Sequence, residues 1–230
     1  MDVVVVIGAA LLAVLVSPYL LRLVVQVPAM ATVGYVSDED PTISPSTRER
    51  AVRVMTPVAF AVMALRWGPT SVLVPFLFLA AVLVVVSLID LEHFRIPDRI
   101  VFPAVGISAG LIALATIIVR ADPLVLRNAA AGSLFYFGLL LLPHLIYPRG
   151  MGFGDVKLAL LMGLFLGWIA PGGIQVVSLV MWALMLGSGL GVLAGVGFAV
   201  IRGRRAEFPF GPALALGCLL AITFSDALVG

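Results

Sequence analysis

Long apolar runs separated by short polar breaks dominate the pattern of this chain. An α-helix needs about 20 apolar residues to cross the hydrocarbon core of a bilayer. Eight runs approach that length, at about 3–25, 52–67, 70–90, 100–119, 125–147, 154–169, 173–201 and 208–228. The breaks contain turn-forming stretches such as "RWGPT", "RADP" and "APGG". The pattern therefore predicts an all-α, polytopic membrane protein with about eight transmembrane helices.

One sizeable polar stretch interrupts this pattern, "VPAMATVGYVSDEDPTISPSTRER" at residues 27–50. It is rich in Ser, Thr, Pro and acidic residues, so it predicts a surface loop with little core of its own. The rest of residues 1–230 is expected to form a single integral membrane domain. The first run, "MDVVVVIGAALLAVLV", lacks a basic segment ahead of it and is expected to be a retained span.

Composition supports a lipid environment. Of the 230 residues 62% are hydrophobic and 11% are charged, whereas a soluble domain carries about 25% charged residues. The net charge of +2 is too small to indicate nucleic acid as a partner. The single cysteine, Cys218, excludes an internal disulfide and a zinc site built from several thiolates.

The basic residues predict the orientation of the eight spans. If the spans alternate, one side receives only Arg66, Arg120 and Arg127, and the other receives Arg22, Arg48, Arg50, Arg53, Arg95, Arg99, Arg149, Lys157, Arg202, Arg204 and Arg205. Cytoplasmic loops are enriched in Lys and Arg, so the richer side is expected to face the cytoplasm. Asp90 and Asp155 both fall on that side, because an even number of spans separates them.

These two acids are the candidate chemical groups. A carboxylate near hydrocarbon is costly, which makes both functional candidates, although charges at helix ends in the headgroup zone are the plainer alternative. Gly152 and Gly154 precede Asp155 and leave the backbone free to adopt unusual dihedrals. Two nearby carboxyl groups in different surroundings are expected to share one proton. Such a pair can activate water and polarise a carbonyl group.

Two other polar residues have structural interpretations. His144, in or near the fifth span, is expected to be a hydrogen-bonded structural residue, with a proton relay as the alternative. Trp168, at the outer end of the sixth span, fits an interfacial aromatic belt.

Three segments carry a resemblance to a known family. "DLEHFRIPD" resembles the first signature of the type IV prepilin peptidases, and "GFGDVKL" resembles their second, whose G-x-G-D core is shared with presenilin-type intramembrane proteases. "EFPFGPALALG" is similar to the P-F-G-P segment that follows in this family. The three segments occur in order, and the resemblance covers roughly residues 45–228.

The resemblance implies that Asp90 and Asp155 are the catalytic pair. It also implies substrate-binding or supporting roles at Glu92, Asp98, Gly152, Gly154, Lys157, Pro209, Gly211 and Pro212. The two glycines before Asp155 would shape the backbone beside it. The Pro-Phe-Gly-Pro segment would break the last helix and leave backbone groups free to pair with an extended substrate.

Each charged position in these segments has two alternative roles. Lys157 would orient the substrate or a lipid phosphate, or serve as a plain snorkelling anchor. Glu92 and Asp98 would bind the basic end of a substrate leader, or pair with Arg95 and Arg99.

The activity implied by the resemblance is that of a membrane-embedded aspartic endopeptidase. It would remove the short leader from prepilin or pseudopilin substrates at the cytoplasmic face of a bacterial inner membrane, with lipid and the pilus-assembly machinery as further partners. Full-length members often carry a zinc-binding insert with two cysteine pairs, and residues 27–50 contain no cysteine. The sequence therefore supports neither zinc nor S-adenosylmethionine as a cofactor, and it leaves open whether the product is N-methylated.

Two alternative functions remain at this point. A preflagellin-type or other G-x-G-D protease would differ in its substrate, and the P-F-G-P element favours prepilin processing. A proton-coupled transporter would use the two acids as a relay and would cleave no peptide. That second alternative gives no reason for the spacing of the motifs.

Overall fold

The computed structural model describes residues 2–31, 44–148, 152–202 and 209–229, and all regular structure in these ranges is helical. The helices are α1 Asp2–Ala31, α2 Pro45–Trp67, α3 Leu73–His93, α4 Asp98–Ile118, α5 Leu124–Ile146, α6 Phe153–Ile169, α7 Gly173–Arg202, α8 Gly211–Thr223 and α9 Ser225–Val229. The predicted all-α fold is confirmed.

The helices on either side extend further into the polar stretch than the sequence predicted. Helix α1 continues to Ala31 and α2 begins at Pro45, so helices occupy both ends of residues 27–50. The Ser44 side chain accepts a hydrogen bond from the Thr47 amide at 3.2 Å, which caps the start of α2. The middle of the predicted loop, residues 32–43, lies outside the described residues.

Five helices of the described ranges are long and apolar enough to cross a membrane by length and composition: α1, α3, α4, α5 and α7. The other three predicted spans exist as helices, but α6 has 17 residues, α8 has 13 and α2 begins with a basic segment. Helix α3 is the central one, because 78% of its apolar window is buried against 22–33% in the other four. The helix that carries Asp90 is thus enclosed by the rest of the bundle.

Helices α5 and α6 pack backbone against backbone through glycines. A Cβ atom added at Gly163 would fall on the carbonyl of Gly132, and one at Gly167 would fall on the carbonyl of Asn128. Such small residues let neighbouring membrane helices approach closely. The Ser133 hydroxyl adds a hydrogen bond of 2.8 Å to the Leu160 carbonyl. The position of α6 along α5 is therefore fixed over several turns.

An aromatic cluster fills the end of the bundle farthest from the two acids. The rings of Trp67 and Phe76 stack with centroids 4.6 Å apart, and Phe76 lies 5.5 Å from Trp168. The Trp168 indole donates a hydrogen bond to the Thr116 hydroxyl at 3.0 Å. Trp168 is only 7% exposed. The prediction that it belongs to an interfacial belt is wrong, because both its ring and its N–H are satisfied inside the bundle.

Candidate active site

Asp90 lies in the last turn of α3 and is 6% exposed. Its carboxylate accepts a hydrogen bond of 3.0 Å from the backbone N–H of Gly211, the first residue of α8. Helix α3 ends at His93, and the next residue, Phe94, adopts a left-handed conformation with φ 51° and donates its N–H to the Asp90 carbonyl. Both the main chain and the side chain of Asp90 are therefore held in place.

Asp155 lies in the first turn of α6 and is 7% exposed. Its carboxyl group is close enough to that of Asp90 to interact with it electrostatically. Helices α4 and α5 run out and back between the two, so the C-terminal end of α3 meets the N-terminal end of α6. The structure thus brings together the two acids that the sequence singled out.

The two carboxyl groups experience different local fields. Asp155 lies at the positive end of the α6 dipole, whereas Asp90 lies at the negative end of the α3 dipole and receives a backbone N–H from another helix. Two identical side chains in unlike environments can divide the roles of acid and base.

Ile96 is a residue of this site that the sequence analysis missed. A Cβ atom added at Gly154 would lie 2.7 Å from Ile96 Cβ, and one added at Gly211 would lie 3.3 Å from Ile96 Cδ1. Ile96 is 9% exposed and therefore packs between the two glycines that flank the acids. Its signal was available, since it is the one aliphatic residue in the charged loop "EHFRIPD".

The glycines near the acids serve close packing. Of the described glycines only Gly68 has a positive φ, so the unusual dihedrals expected at Gly152 and Gly154 are not found. A Cβ atom at Gly211 would lie 2.7 Å from Asp90 Oδ2, whereas one at Gly152 would make only an ordinary contact of 3.6 Å with Asp155 Oδ2. Gly154 and Gly211 are therefore the two positions where a side chain would disturb the site.

Glu92 has a different partner from the ones predicted. Its carboxylate accepts a hydrogen bond of 2.6 Å from Arg48 Nε, and the two side chains are 1% and 14% exposed. Arg48 was not a predicted partner, and through it Glu92 faces the start of α2. The buried ion pair ties α2 to the end of α3, two residues beyond Asp90.

Asp98 and Lys157 bind each other. The Lys157 ammonium lies 2.5 Å from Asp98 Oδ1 and also lies over the rings of Phe153 at 4.7 Å and Phe102 at 5.7 Å. The Lys157 side chain is 15% exposed and that of Asp98 is 54% exposed. The predicted pairing of Asp98 with Arg95 or Arg99 is therefore wrong, and this pair joins α4 to α6 beside Asp155.

The start of α8 agrees with the predicted break but uses its backbone differently. Pro209 is buried just before the helix, Gly211 begins it and Pro212 occupies its first turn. The Gly211 N–H was expected to be free for a substrate strand, but it donates to Asp90 instead. Residues 203–208, with the beginning of "EFPFGP", lie outside the described residues.

His144 and the candidate metal ligands are the remaining groups near the site. The His144 ring at the end of α5 lies 5.2 Å from the Phe153 ring at the start of α6. Within the described ranges no group of three or more His, Cys, Asp or Glu side chains is arranged to hold a metal ion.

Comparison with known proteins places this arrangement in a family. Residues 77–200, which include both acids, match the type IV leader peptidase family. Among similar proteins are prepilin leader peptidase/N-methyltransferases from Pseudomonas putida and Bacillus subtilis (strain 168), 33% and 30% identical over 186 and 184 residues. Another, from Aeromonas salmonicida (strain A449), is 29% identical over 186 residues.

These alignments cover about four-fifths of this chain. They account for 80%, 78% and 80% of it in the order just given, and for 61%, 67% and 60% of the relatives. The chain thus spans about 60% of the length of the curated relatives it matches. No solved structure matches it. On the strength of the match over more than half of its length, the chain belongs to the type IV leader peptidase family.

Proposed function

We propose that this chain is a membrane-embedded aspartic endopeptidase that removes the short leader from prepilin-like proteins. One observation carries the proposal: two buried carboxyl groups, from opposite ends of α3 and α6, meet at one end of the bundle within electrostatic range. Family membership supports the reaction class, because the relatives named above are prepilin leader peptidases.

The proposed roles rest on the hydrogen bond from Gly211 to Asp90, because the two helix dipoles alone would favour the opposite assignment. The Gly211 N–H stabilises negative charge on Asp90, so Asp90 acts as the base that takes a proton from the attacking water. Asp155 holds the shared proton and gives it to the carbonyl oxygen of the scissile bond as the water oxygen attacks the carbon. The collapse of the resulting diol returns a proton to Asp155 and passes the proton on Asp90 to the leaving nitrogen. No covalent intermediate and no metal is required.

The proposed orientation places the site at the cytoplasmic face of a bacterial inner membrane. Eleven of the 14 basic residues belong to the side of the alternating spans that carries both acids. The hydrophobic helix of a prepilin or pseudopilin would lie in the bilayer and present its leader to the acids. Lipid and the pilus-assembly machinery are further proposed partners. Neither zinc nor S-adenosylmethionine takes part in the proposed reaction, and methylation of the product is not proposed.

The test replaces each acid separately. Asp90→Asn and Asp155→Asn are each expected to lower the rate of leader cleavage by about 10³-fold or more, since each removes one partner of the proton transfer. Cleavage is measured by the mobility and N-terminal sequence of a prepilin co-expressed in the same membrane. A parallel assay with a preflagellin separates the two substrate classes.

A matched control is available in Asp226, which pairs with Arg66 at the opposite end of the bundle and is 83% exposed. Asp226→Asn makes the same chemical change and is expected to leave cleavage intact. Wild-type cleavage by either acid variant, at normal membrane levels, would contradict the proposed mechanism.

A further inference from the structure

Helices α1 and α2 enclose a cavity of about 250 Å³ whose lining includes none of the residues of the proposed active site. Apolar and charged side chains line it together, among them Leu21, Arg22, Glu49, Val52 and Arg53. A single water molecule needs only about 10–15 Å³ of such space. The cavity is therefore large enough for a group of several atoms.

The charged groups of this cavity carry a net positive charge. Arg53 forms an ion pair of 2.5 Å with Glu49, one turn earlier on α2, and both side chains are exposed. None of the ion pairs formed among the described residues includes Arg22, whose guanidinium lies 5.8 Å from the centre of the exposed Tyr19 ring. Two arginines against one glutamate leave one positive charge, which a phosphodiester with its single negative charge would neutralise.

The surroundings of the cavity have the character of a membrane interface. Arg22 is the only charged residue between positions 3 and 27, and no charged residue follows Arg53 until position 66. Large apolar side chains are exposed directly beside the two arginines, at Leu23 and Val54. Charge and exposed hydrocarbon therefore meet at the same level of α1 and α2, as they do where lipid headgroups adjoin the acyl chains.

We infer that this cavity binds the phosphate group of an anionic phospholipid, with Arg22 and Arg53 as its cationic partners. Guanidinium groups suit a phosphate because they donate paired hydrogen bonds in one plane. The exposed apolar side chains beside the arginines would contact the acyl chains, which favours a lipid over a free anion. In the proposed orientation the cavity belongs to the cytoplasmic leaflet, where anionic lipids attract basic residues. The inference does not depend on the proposed peptidase activity.

A lipid at this position would join two helices that differ in how firmly they are held. In α1 only 22% of the apolar window is buried, the lowest value among the five long apolar helices of the described ranges. Helix α2 is held more firmly, because Arg48, one turn before Val52, forms the buried ion pair with Glu92. Binding between them is therefore expected to stabilise the folded chain.

The experiment uses the full chain, purified in the neutral detergent dodecyl maltoside. Phosphatidylglycerol, zwitterionic phosphatidylcholine or inorganic phosphate is then added in separate titrations. Native mass spectrometry counts bound lipid, and the rise of the unfolding temperature with lipid concentration gives the affinity. We expect phosphatidylglycerol to bind and to raise the unfolding temperature, and the other two to bind at least tenfold more weakly. Equal stabilisation by phosphatidylcholine or by inorganic phosphate would overturn the inference.

Three variants test the cavity itself. Arg22→Gln and Arg53→Gln are each expected to weaken phosphatidylglycerol binding about fivefold, the usual effect of one basic residue near an anionic lipid surface. Leu21→Trp keeps every charge but fills the cavity, and we expect it to bind less lipid for that reason. Since Arg22 and Arg53 have exposed side chains, their replacement should leave the fold intact.

Arg50→Gln is the matched control, because Arg50 lies on α2 between Glu49 and Arg53 but is exposed and does not line the cavity. It removes the same charge from the same helix and is expected to bind phosphatidylglycerol as wild type does. An equal loss in Arg50→Gln would indicate general attraction to a basic surface and would overturn the inference. Wild-type binding by Arg22→Gln or by Leu21→Trp would overturn it as well. Leader cleavage is tested separately with Asp90→Asn and Asp155→Asn, so either proposal can fail alone.

Discussion

The two ends of α6 are built on opposite principles. At the C-terminal end, Gly163 and Gly167 touch the backbone of α5, and Phe165 and Trp168 pack in an aromatic cluster. At the N-terminal end, a buried carboxyl group lies beside an ion pair between Lys157 and Asp98. The C-terminal end supplies rigid packing. At the N-terminal end an ionisable group is buried, which costs free energy. The difference teaches that packing at one end of a short helix can hold an acid in place at the other.

Two glycines, Gly163 on α6 and Gly211 on α8 beside Asp90, express the same contrast. At Gly163 a new side chain would meet backbone atoms, which cannot move without shifting a whole helix. At Gly211 it would meet the carboxylate of Asp90 and the tip of Ile96, which can rotate. The same kind of substitution should therefore damage the fold at the first position and the chemistry at the second.

The largest effect is expected from a substitution at the rigidly packed C-terminal end of α6. Gly163→Leu forces atoms into the backbone of α5, and we expect little folded protein, since overpacking of this kind costs about 3 kcal/mol or more. Gly138→Leu on α5 is the control, because its added Cβ atom has nothing within 4 Å. Yield and thermal unfolding in detergent measure both variants. A stable Gly163→Leu protein would show that the close contact does not fix α6.

A smaller effect on stability is expected at the site end. Gly211→Ala places a Cβ atom 2.7 Å from Asp90 Oδ2 and should displace the carboxylate from its backbone donor. We expect leader cleavage to fall about 100-fold, within the range for a misplaced proton-transfer group, while the protein remains folded. Gly189→Ala, whose Cβ atom meets open space, is the control. If Gly211→Ala failed to fold as well as failing to cleave, the proposed contrast between the two ends of α6 would be wrong.

The smallest expected effect concerns the ion pair beside Asp155. Asp98→Asn removes a pair whose acidic member is 54% exposed, and such pairs contribute about 0–1 kcal/mol. The unfolding temperature should fall slightly at low salt, and the difference from wild type should shrink in 1 M salt, where charges are screened within about 3 Å. A large, salt-independent loss would mean that the N-terminal end of α6 depends on this pair for its position.

The sequence predicted the helices well because membrane spans are specified by the length of apolar runs. The sixth run, expected at 154–169, is the helix Phe153–Ile169. The two acids were also found in advance, since each stands at the end of such a run and belongs to a recognisable motif. Both features are local, so one sequence is enough to detect them.

The partners of these residues could not be predicted in the same way. Glu92 was expected to face nearby arginines but contacts Arg48 of another helix, and Trp168 was expected at the membrane interface but is buried. Ile96 stood out in its charged loop, but the sequence alone did not show that it packs against Gly154 and Gly211. These contacts depend on how each helix is rotated about its axis, which the nearly uniform apolar composition leaves undetermined.

The bond from Gly211 to Asp90 has a consequence for inhibition. Its donor belongs to the main chain, so exchanges of side chains elsewhere along α8 would preserve it. At position 211 itself, proline would remove the donor and any other side chain would press on the acceptor. A compound that gained affinity by binding to this amide would contact a feature that point mutation cannot readily delete. A resistance mutation at position 211 would have to add a larger side chain. That side chain would also crowd the carboxyl group of Asp90, on which the proposed activity depends.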